Sequence, residues 1–536
     1  MWLGPGDEES NDLLAGQIAE LVRLAREYEE RLGPTGSLHA WDDSSPEWPM
    51  MQREVIGQIY EFASDWGPFL GVFRSQWWRR VWVIQEVVLA SGDVWVYQGG
   101  AAFFWHDMIA AFRFALAVGL ISPEGVLQDG SVSEILSVAS MADIRDAVGN
   151  RSCIDSGDAG VMWVLHRIGS SLATDPRDMV YGILGVIQKA ESKRSRGNPE
   201  PFVIPDYSLD PADVFQQVTE KLLARFPKLY ALMSAGLKCG GGSVPGLPSW
   251  VIDWTDVRTR RAAEFHALET ETLLESGLFG SGDPCLVKSH PKFFMVKDRA
   301  LILSGFMIDE VEKCTDVLVA SRFLPRRNKK NLPTTLQAML HFGTLHEVME
   351  MWQGGAPDQS RCAHTQEEFI RAVLTTLFRG NIPEALRSIS GLEAIQALLD
   401  FAHNVAWLKR SAIWGSWLGI RIGLPIIGAL AIAKNLSLFS KEDAGAQQGK
   451  LEAISEIGAE LADRVPFKTH QGHIGVSNGL HVQESDCIVL VQGAAAPLIL
   501  RRMEARRWTL IGDCYIYGIM DGEEFDVKKC NEICIV

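Results

Sequence analysis

The stretch Arg74 to Ala90, RSQWWRRVWVIQEVVLA, decides how the first part of this 536-residue chain is read. It contains no Gly or Pro, and its aliphatic and aromatic side chains recur at helical spacing, which predicts one mostly buried amphipathic helix. On that helix Glu86 falls one turn from Trp82 and Val83 and two turns from Arg79, so a carboxylate would share a face with an indole and a guanidinium. A carboxylate so placed is either paired with arginine, which keeps it ionised, or desolvated, which suits it to proton transfer or to stabilising a cation. Spacing alone therefore makes Glu86 the candidate site residue.

Outward from this helix the chain divides by its patterning. Towards the N-terminus, Trp2-Leu3-Gly4 reads as the end of a strand, Ser10 or Asn11 caps a helix running to about Leu32, and a second helix covers Gln52 to Trp66. Towards the C-terminus, Asp93 to Tyr97 alternates as a short strand, so residues 1–105 form an α/β unit. Helical spacing dominates 106–246, short strands dominate 247–333, and helix returns over 334–464. Within the strand-rich part, FFMVKDRALILSGFMIDEVEKC at 293–314 splits into two β-rich runs at a Lys297-Asp298 turn. Residues 465–536 alternate apolar and polar between Gly472, Gly479, Gly493 and Gly512, the pattern of a small all-β module. The expected fold class is mixed α+β: an α/β N-terminal unit, a largely α-helical middle and a small all-β C-terminal module.

A chain of this length exceeds one hydrophobic core, and 47% hydrophobic against 22% charged residues excludes a disordered protein. The net charge of -16 argues against nucleic acid as a partner, because binding phosphates needs a basic surface that releases counterions. Nine cysteines, an odd number without paired CxxC spacing, form neither a disulfide framework nor a zinc ribbon and fit a reducing, intracellular setting. No metal site is expected, since Cys530 and Cys534 lack partners at ligand spacing. The opening MWLGPGDEESND turns acidic within a few residues and has no apolar core of a signal peptide.

One segment bears on membranes. Ala412 to Ala433, AIWGSWLGIRIGLPIIGALAIA, is long enough to span a bilayer, and Gly415, Gly419 and Gly423 recur at the close-approach spacing of packed membrane helices. Arg421 near its centre costs on the order of 3 kcal/mol in a bilayer, and Pro425 with the glycines weakens the helix. The favoured expectation is a pair of short buried helices broken at Gly423-Leu424-Pro425.

Further motifs read as structure. In Thr174-Asp175-Pro176-Arg177-Asp178 a capping residue and a proline open a helix, with Asp175 and Asp178 near its positive end and Arg177 between them. The stretch YIYGIMDGE at 515–523, with Tyr517, Gly518, Asp521 and Gly522, combines a strand with an acidic glycine turn but lacks the alternating oxygen ligands of a calcium loop. Walker, HExxH and dinucleotide-binding glycine motifs are absent from the sequence.

Taken together, WWRRVWVIQEVVLA at 77–90, TDPRDMVYGILGV at 174–186, PDYSLDPADVF at 205–215, LPSWVIDW at 247–254 and GDCYIYGIMDGEEF at 512–525 resemble the fungal heterokaryon incompatibility (HET) domain proteins. The family's WxRxWxxQE core falls on Trp78, Arg80, Trp82, Gln85 and Glu86, and Asp175, Arg177, Asp178, Tyr517, Gly518, Asp521 and Gly522 fall in its other motifs. The resemblance implies a cytoplasmic protein of nonself recognition that promotes programmed cell death through self-assembly or contact with other incompatibility proteins. HET domains are in turn similar to TIR domains, flavodoxin-like units of which many cleave NAD. That likeness implies an alternative, an NAD glycohydrolase in which Glu86 is the catalytic acid, Trp78 and Trp82 shape the nicotinamide pocket, and NAD is substrate and not cofactor. A third alternative is a membrane-acting effector through 412–433. The family's opening SYxWG-like and WIDxxCINQ-like segments do not precede the WLG stretch here, so the expectation is an N-terminally truncated HET domain.

Overall fold

A computed structural model describes residues 8–32, 48–121, 132–150, 171–194, 201–225, 229–236, 244–256, 294–315, 464–479, 481–494, 496–520 and 524–536, with short pieces at 3, 164–165, 167–168, 348, 351–352 and 375–376. The chain falls into two compact units, residues 1–214 with 260–267, and residues 215–259 with 268–536. This division differs from the boundaries expected from patterning. The segment 412–433 lies outside the described residues. Among the described residues no helix is long and apolar enough to cross a membrane.

The first unit opens with α1 (Glu8–Leu32), α2 (Trp48–Phe62) and α3 (Gly67–Val72). On α1 the apolar residues Leu14, Ile18, Leu21, Val22, Ala25 and Tyr28 recur every three or four positions and are buried. Gln17, buried on the same helix, accepts from the Phe69 amide (3.1 Å) and donates to the Asp65 carbonyl, so it holds the entry to α3 without an unpaired amide.

The Trp-rich stretch is not the single helix its spacing predicts. Ser75 caps a 3₁₀ turn over Gln76–Arg79 by accepting from the Trp77 amide, Arg80 is extended (φ -72°, ψ 122°), and α4 runs from Val81 to Val88. The break has a physical cause at Leu172. The Val81 amide donates to the Leu172 carbonyl (3.1 Å) and the Leu172 amide donates to the Arg79 carbonyl, an isolated parallel bridge that a continuous helix could not form.

Beyond α4 come β1 (Trp95–Gln98) and β2 (Ala101–Phe104), an antiparallel hairpin turning at Gly99 with φ 57°. The Leu3 amide donates to the Tyr97 carbonyl (2.7 Å), which seats Leu3 on the outer edge of β1. Then follow α5 (Trp105–Ala117), α6 (Val132–Asn150), α7 (Asp178–Tyr181), α8 (Leu184–Arg194) and α9 (Pro211–Arg225), within which the unit boundary falls. Among the described residues of this unit the paired strands are antiparallel, so the parallel sheet of a flavodoxin or TIR-like unit is not seen there.

In the second unit α10 (Tyr230–Ala235) precedes β3 (Phe294–Lys297) and the 15-residue β4 (Ala300–Cys314). Their turn lies at Asp298-Arg299, both with positive φ (48° and 66°), one residue later than the sequence pattern places it. The remaining strands are β5 (Val465–Thr469), β6 (Ile474–Ser477), β7 (Cys487–Val491), β8 (Leu498–Arg502), β9 (Arg507–Ile516) and β10 (Asn531–Ile535).

These strands close on themselves. Neighbouring pairs run β4, β5, β6, β9, β8, β7 and back to β4, while β10 bridges β4 and β9. The strand-rich part near 300 and the C-terminal module are thus one barrel, where patterning alone separates them. The reason is the length of β4, which pairs with β10 at its start, β7 at its middle and β5 at its end, bending where the register shifts near Met307 and Val311. Gly305 sits at this crossing with its Cα against the Leu490 carbonyl, where a side chain has no room. Phe306, Val311, Phe467, Ile488, Leu490, Ile499 and Ile516 fill the interior. The architecture is mixed α+β, with helices in the N-terminal half and a β-sheet module at the C-terminus.

Candidate functional site

Three of the quoted motifs meet at Asp178, at the start of α7. Its Oδ2 accepts from the Trp82 indole N–H (3.1 Å) and its Oδ1 accepts from the Tyr207 hydroxyl (2.6 Å), joining segments 96 and 29 residues away. Trp82 remains 39% exposed and Tyr207 51% exposed, so each ring turns a face to solvent. Desolvation first, and then the hydrogen bond to Asp178, pushes the Tyr207 phenol up to about 12.

Arg177 ties the same corner together. Its guanidinium pairs with Asp175 (2.7 Å), donates to the carbonyls of Tyr207 (2.6 Å) and Leu209 (2.8 Å), and lies over the Tyr207 ring at 5.1 Å. Its hydrogen bond to Asp175 holds that carboxyl below the usual range. Tyr181 donates to the Asp206 carbonyl (3.2 Å) and accepts from the Asp206 amide (3.1 Å), so the strap 205–209 is held at both ends.

Gln85 and Val81 of α4 pack against the glycines of the 174–186 motif. Gln85 Nε2 donates to the Tyr181 carbonyl (3.4 Å), and Gln85 Oε1 lies where a Cβ on Gly185 would stand. A Cβ on Gly182 would lie 2.9 Å from a Val81 methyl and 2.8 Å from the Asp178 carbonyl. Gly182, against a backbone carbonyl and the stiff Val81, leaves no room for a side chain, whereas at Gly185 the Gln85 amide would have to move aside. From the other side, Arg145 of α6 donates to the carbonyls of Val87 and Gly92 (3.3 Å) and so caps the C-terminal end of α4.

The site residues expected from the sequence separate into different roles. Trp78 is fully buried, donates its indole N–H to the Val72 carbonyl (2.7 Å) and packs on Trp77 and Trp105, so it lines no open pocket. Arg80 is exposed at the break before α4. Glu86 is exposed and makes no hydrogen bond or ion pair with a described residue. Among the described residues the expected arginine partner is not seen, and the carboxylate is exposed where a desolvated one was the other expectation. Arg79, which should have shared its face, lies in the separate 3₁₀ turn and approaches Glu134 at 3.6 Å instead. Tyr517 is part-exposed and Gly518 takes a left-handed φ of 81°, while Asp521 and Gly522 lie outside the described residues.

Sequence reasoning missed two members of the cluster's surroundings. Glu134, buried on α6, accepts from Gln76 (2.6 Å) and no periodic signal marked it. Tyr207 was legible only as part of a motif, because its partner lies 29 residues away. Among the described residues no group of His, Cys, Asp and Glu is placed to hold a metal.

Residues 436–536, which include the strands from β5 onward, match the Het-6 beta-barrel domain. Over its whole length the chain is 21% identical to heterokaryon incompatibility protein 6, OR allele, of Neurospora crassa, covering 78% of that protein. No solved structure matches the chain. The barrel match and the full-length similarity liken the chain to the fungal heterokaryon incompatibility (HET) domain proteins.

Proposed function

We propose that this protein acts in the cytoplasm in nonself recognition that ends in growth arrest and programmed cell death, by self-assembly or by contact with other incompatibility proteins. One observation carries the contact part of the reading. Around Asp178 the motif's polar groups are spent on one another, and what they leave facing outward is aromatic surface from Trp82 and Tyr207. Rigidly held aromatic faces are the usual anchors of protein interfaces, because they bury much area at little entropic cost. The similarity to an incompatibility protein supports the pathway.

The test is to express the chain and a Trp82→Ala, Tyr207→Ala double variant in fungal cells and to score growth arrest at equal protein levels. The reading expects arrest by the parent chain and its loss in the variant. Arrest undiminished in the variant overturns it.

A second reading rests on Glu86, whose carboxylate is open to solvent one turn from the exposed Trp82. It takes NAD as substrate and uses Glu86 to stabilise the oxocarbenium-like state of nicotinamide release. Nicotinamide appearing with the parent chain and not with Glu86→Ala supports it; none released at any protein concentration rejects it.

A further inference from the structure

The first unit carries a groove that neither the motifs nor the proposed function uses. It has a volume of about 540 Å³ and runs between α1 and the β1–β2 hairpin. Its floor is apolar, from Ile18, Val22 and Phe103, and it is open because the residues flanking the floor, Ala15, Ala19 and Ala102, are small.

One wall is a row of aromatic rings. Alternation along the hairpin buries Val96, Ala101 and Phe103 and turns Trp95, Tyr97 and Phe104 outward. The Trp95 and Phe104 rings, a cross-strand pair that lines the groove, lie 4.0 Å apart between centroids; beyond the groove Tyr97 lies 6.4 Å from Trp95 and His106 5.4 Å from Phe104. Trp95 is 43% and Tyr97 42% exposed. Such a run of solvent-facing rings forfeits burial that a ligand would restore.

The opposite wall supplies charge. Arg23 is engaged by Glu20 (2.7 Å) and Glu27 (3.0 Å) on its own helix. Arg26, one turn along, has a side chain 72% exposed and reaches Asp107 only at 4.0 Å, while Asp107 is held closer by His106 (3.2 Å). A guanidinium so loosely paired, facing a ring wall across an apolar floor, is complementary to a planar group carrying an anion.

We infer that this groove binds a small aromatic anion, its ring system against Trp95 and Phe104 and its carboxylate, sulfonate or phosphate on Arg26. The size lies in the range of small-molecule sites, which runs from about 300 to 1,000 Å³. The site is separate from the Asp178 cluster and stands whether or not the proposed function does.

The experiment titrates the full chain with 8-anilinonaphthalene-1-sulfonate and with its uncharged analogue N-phenyl-1-naphthylamine, following probe fluorescence. Saturable binding of the sulfonate is expected, weakened about tenfold by Trp95→Ala and by Arg26→Glu. The uncharged probe should respond to Trp95→Ala and not to Arg26→Glu. Ala102→Trp, an addition at an exposed strand position, fills the groove without removing any contact and should block both probes. Near-UV circular dichroism of each variant reports retention of the fold. Absence of saturable binding, or sulfonate binding indifferent to Arg26→Glu and Ala102→Trp in folded protein, overturns the inference.

Discussion

The Asp178 cluster and the barrel use carboxylates in opposite ways. Around Asp178 the hydrogen bonds lie at the surface and join three segments far apart in sequence. In the barrel the carboxylates are buried and each fastens a loop or bend. Asp486 accepts from Arg501 (2.8 and 2.9 Å) and from the Gln483 amide (2.8 Å), Asp309 accepts from the Glu310 and Gln471 amides, and Asp513 accepts from Asn478 (2.7 Å). Surface contacts compete with water and contribute little each, so what the cluster gains is a defined arrangement of segments. A buried carboxylate stripped of its partners has no water to fall back on, so the barrel's polar groups are costly to disturb.

That contrast sets an order of effects. Phe467→Ala, deep in the barrel, should cost about 4 kcal/mol through lost burial and the cavity left behind. Amide exchange in β5 and β6 should rise by roughly three orders of magnitude, and a rise under tenfold would mean that the barrel is not held by this core. Asp486→Ala comes next. It leaves the Gln483 amide unpaired and Arg501 with only the His481 carbonyl, and should cost about 2 kcal/mol, below the full value for a buried pair because Arg501 is a third exposed. Asp486→Asn should recover part of that loss in the same exchange measurement.

In the cluster Asp178→Ala should cost about 1 kcal/mol or less, because Trp82 and Tyr207 can turn to water. Its signature is local: limited proteolysis within 201–210 should speed up while the barrel strands keep their protection. A cost as large as that of Asp486→Ala would erase the distinction drawn here.

The smallest effect is a pH dependence. Hydrogen bonding to Arg177 lowers the Asp175 carboxyl below its ordinary value of 3.8, so its contribution is present above that value and is lost as pH falls through the folded one. Tyr207 is the reverse case: its raised phenol favours the folded state below pH 10 and loses that contribution between 10 and about 12. The proteolysis rate of the strap should therefore stay flat from pH 5 to 9 and climb outside those limits. In Asp175→Asn the acid limb should disappear and the alkaline limb remain.

Much of this was legible in the residues. Periodicity marks α1, and alternation marks β3 and β4 to within a residue of their turn, because burial of one face repeats with the geometry of the element. The Arg177–Asp175 pair was legible too, being local. The break at Arg80 was not, because Leu172, which imposes it, lies 92 residues later and leaves no mark on the spacing near Arg80. For the same reason Glu86 looked like a residue facing Arg79, when one extended residue between them removes the shared face.

By itself, then, the sequence determined, among the described residues, that α1 is a helix, that β3 and β4 are strands and that a β module lies at 465–536. Those properties follow from local spacing and residue type. Only the tertiary structure decided what the motifs are for within the fold: Trp78 in the core, Gln85 against Gly185, Trp82 and Tyr207 on Asp178. It alone also joined β4 to the C-terminal strands and opened the groove beside Trp95. Each of these depends on groups tens to hundreds of residues apart, whose meeting is set by packing and backbone pairing and not by any pattern along the chain.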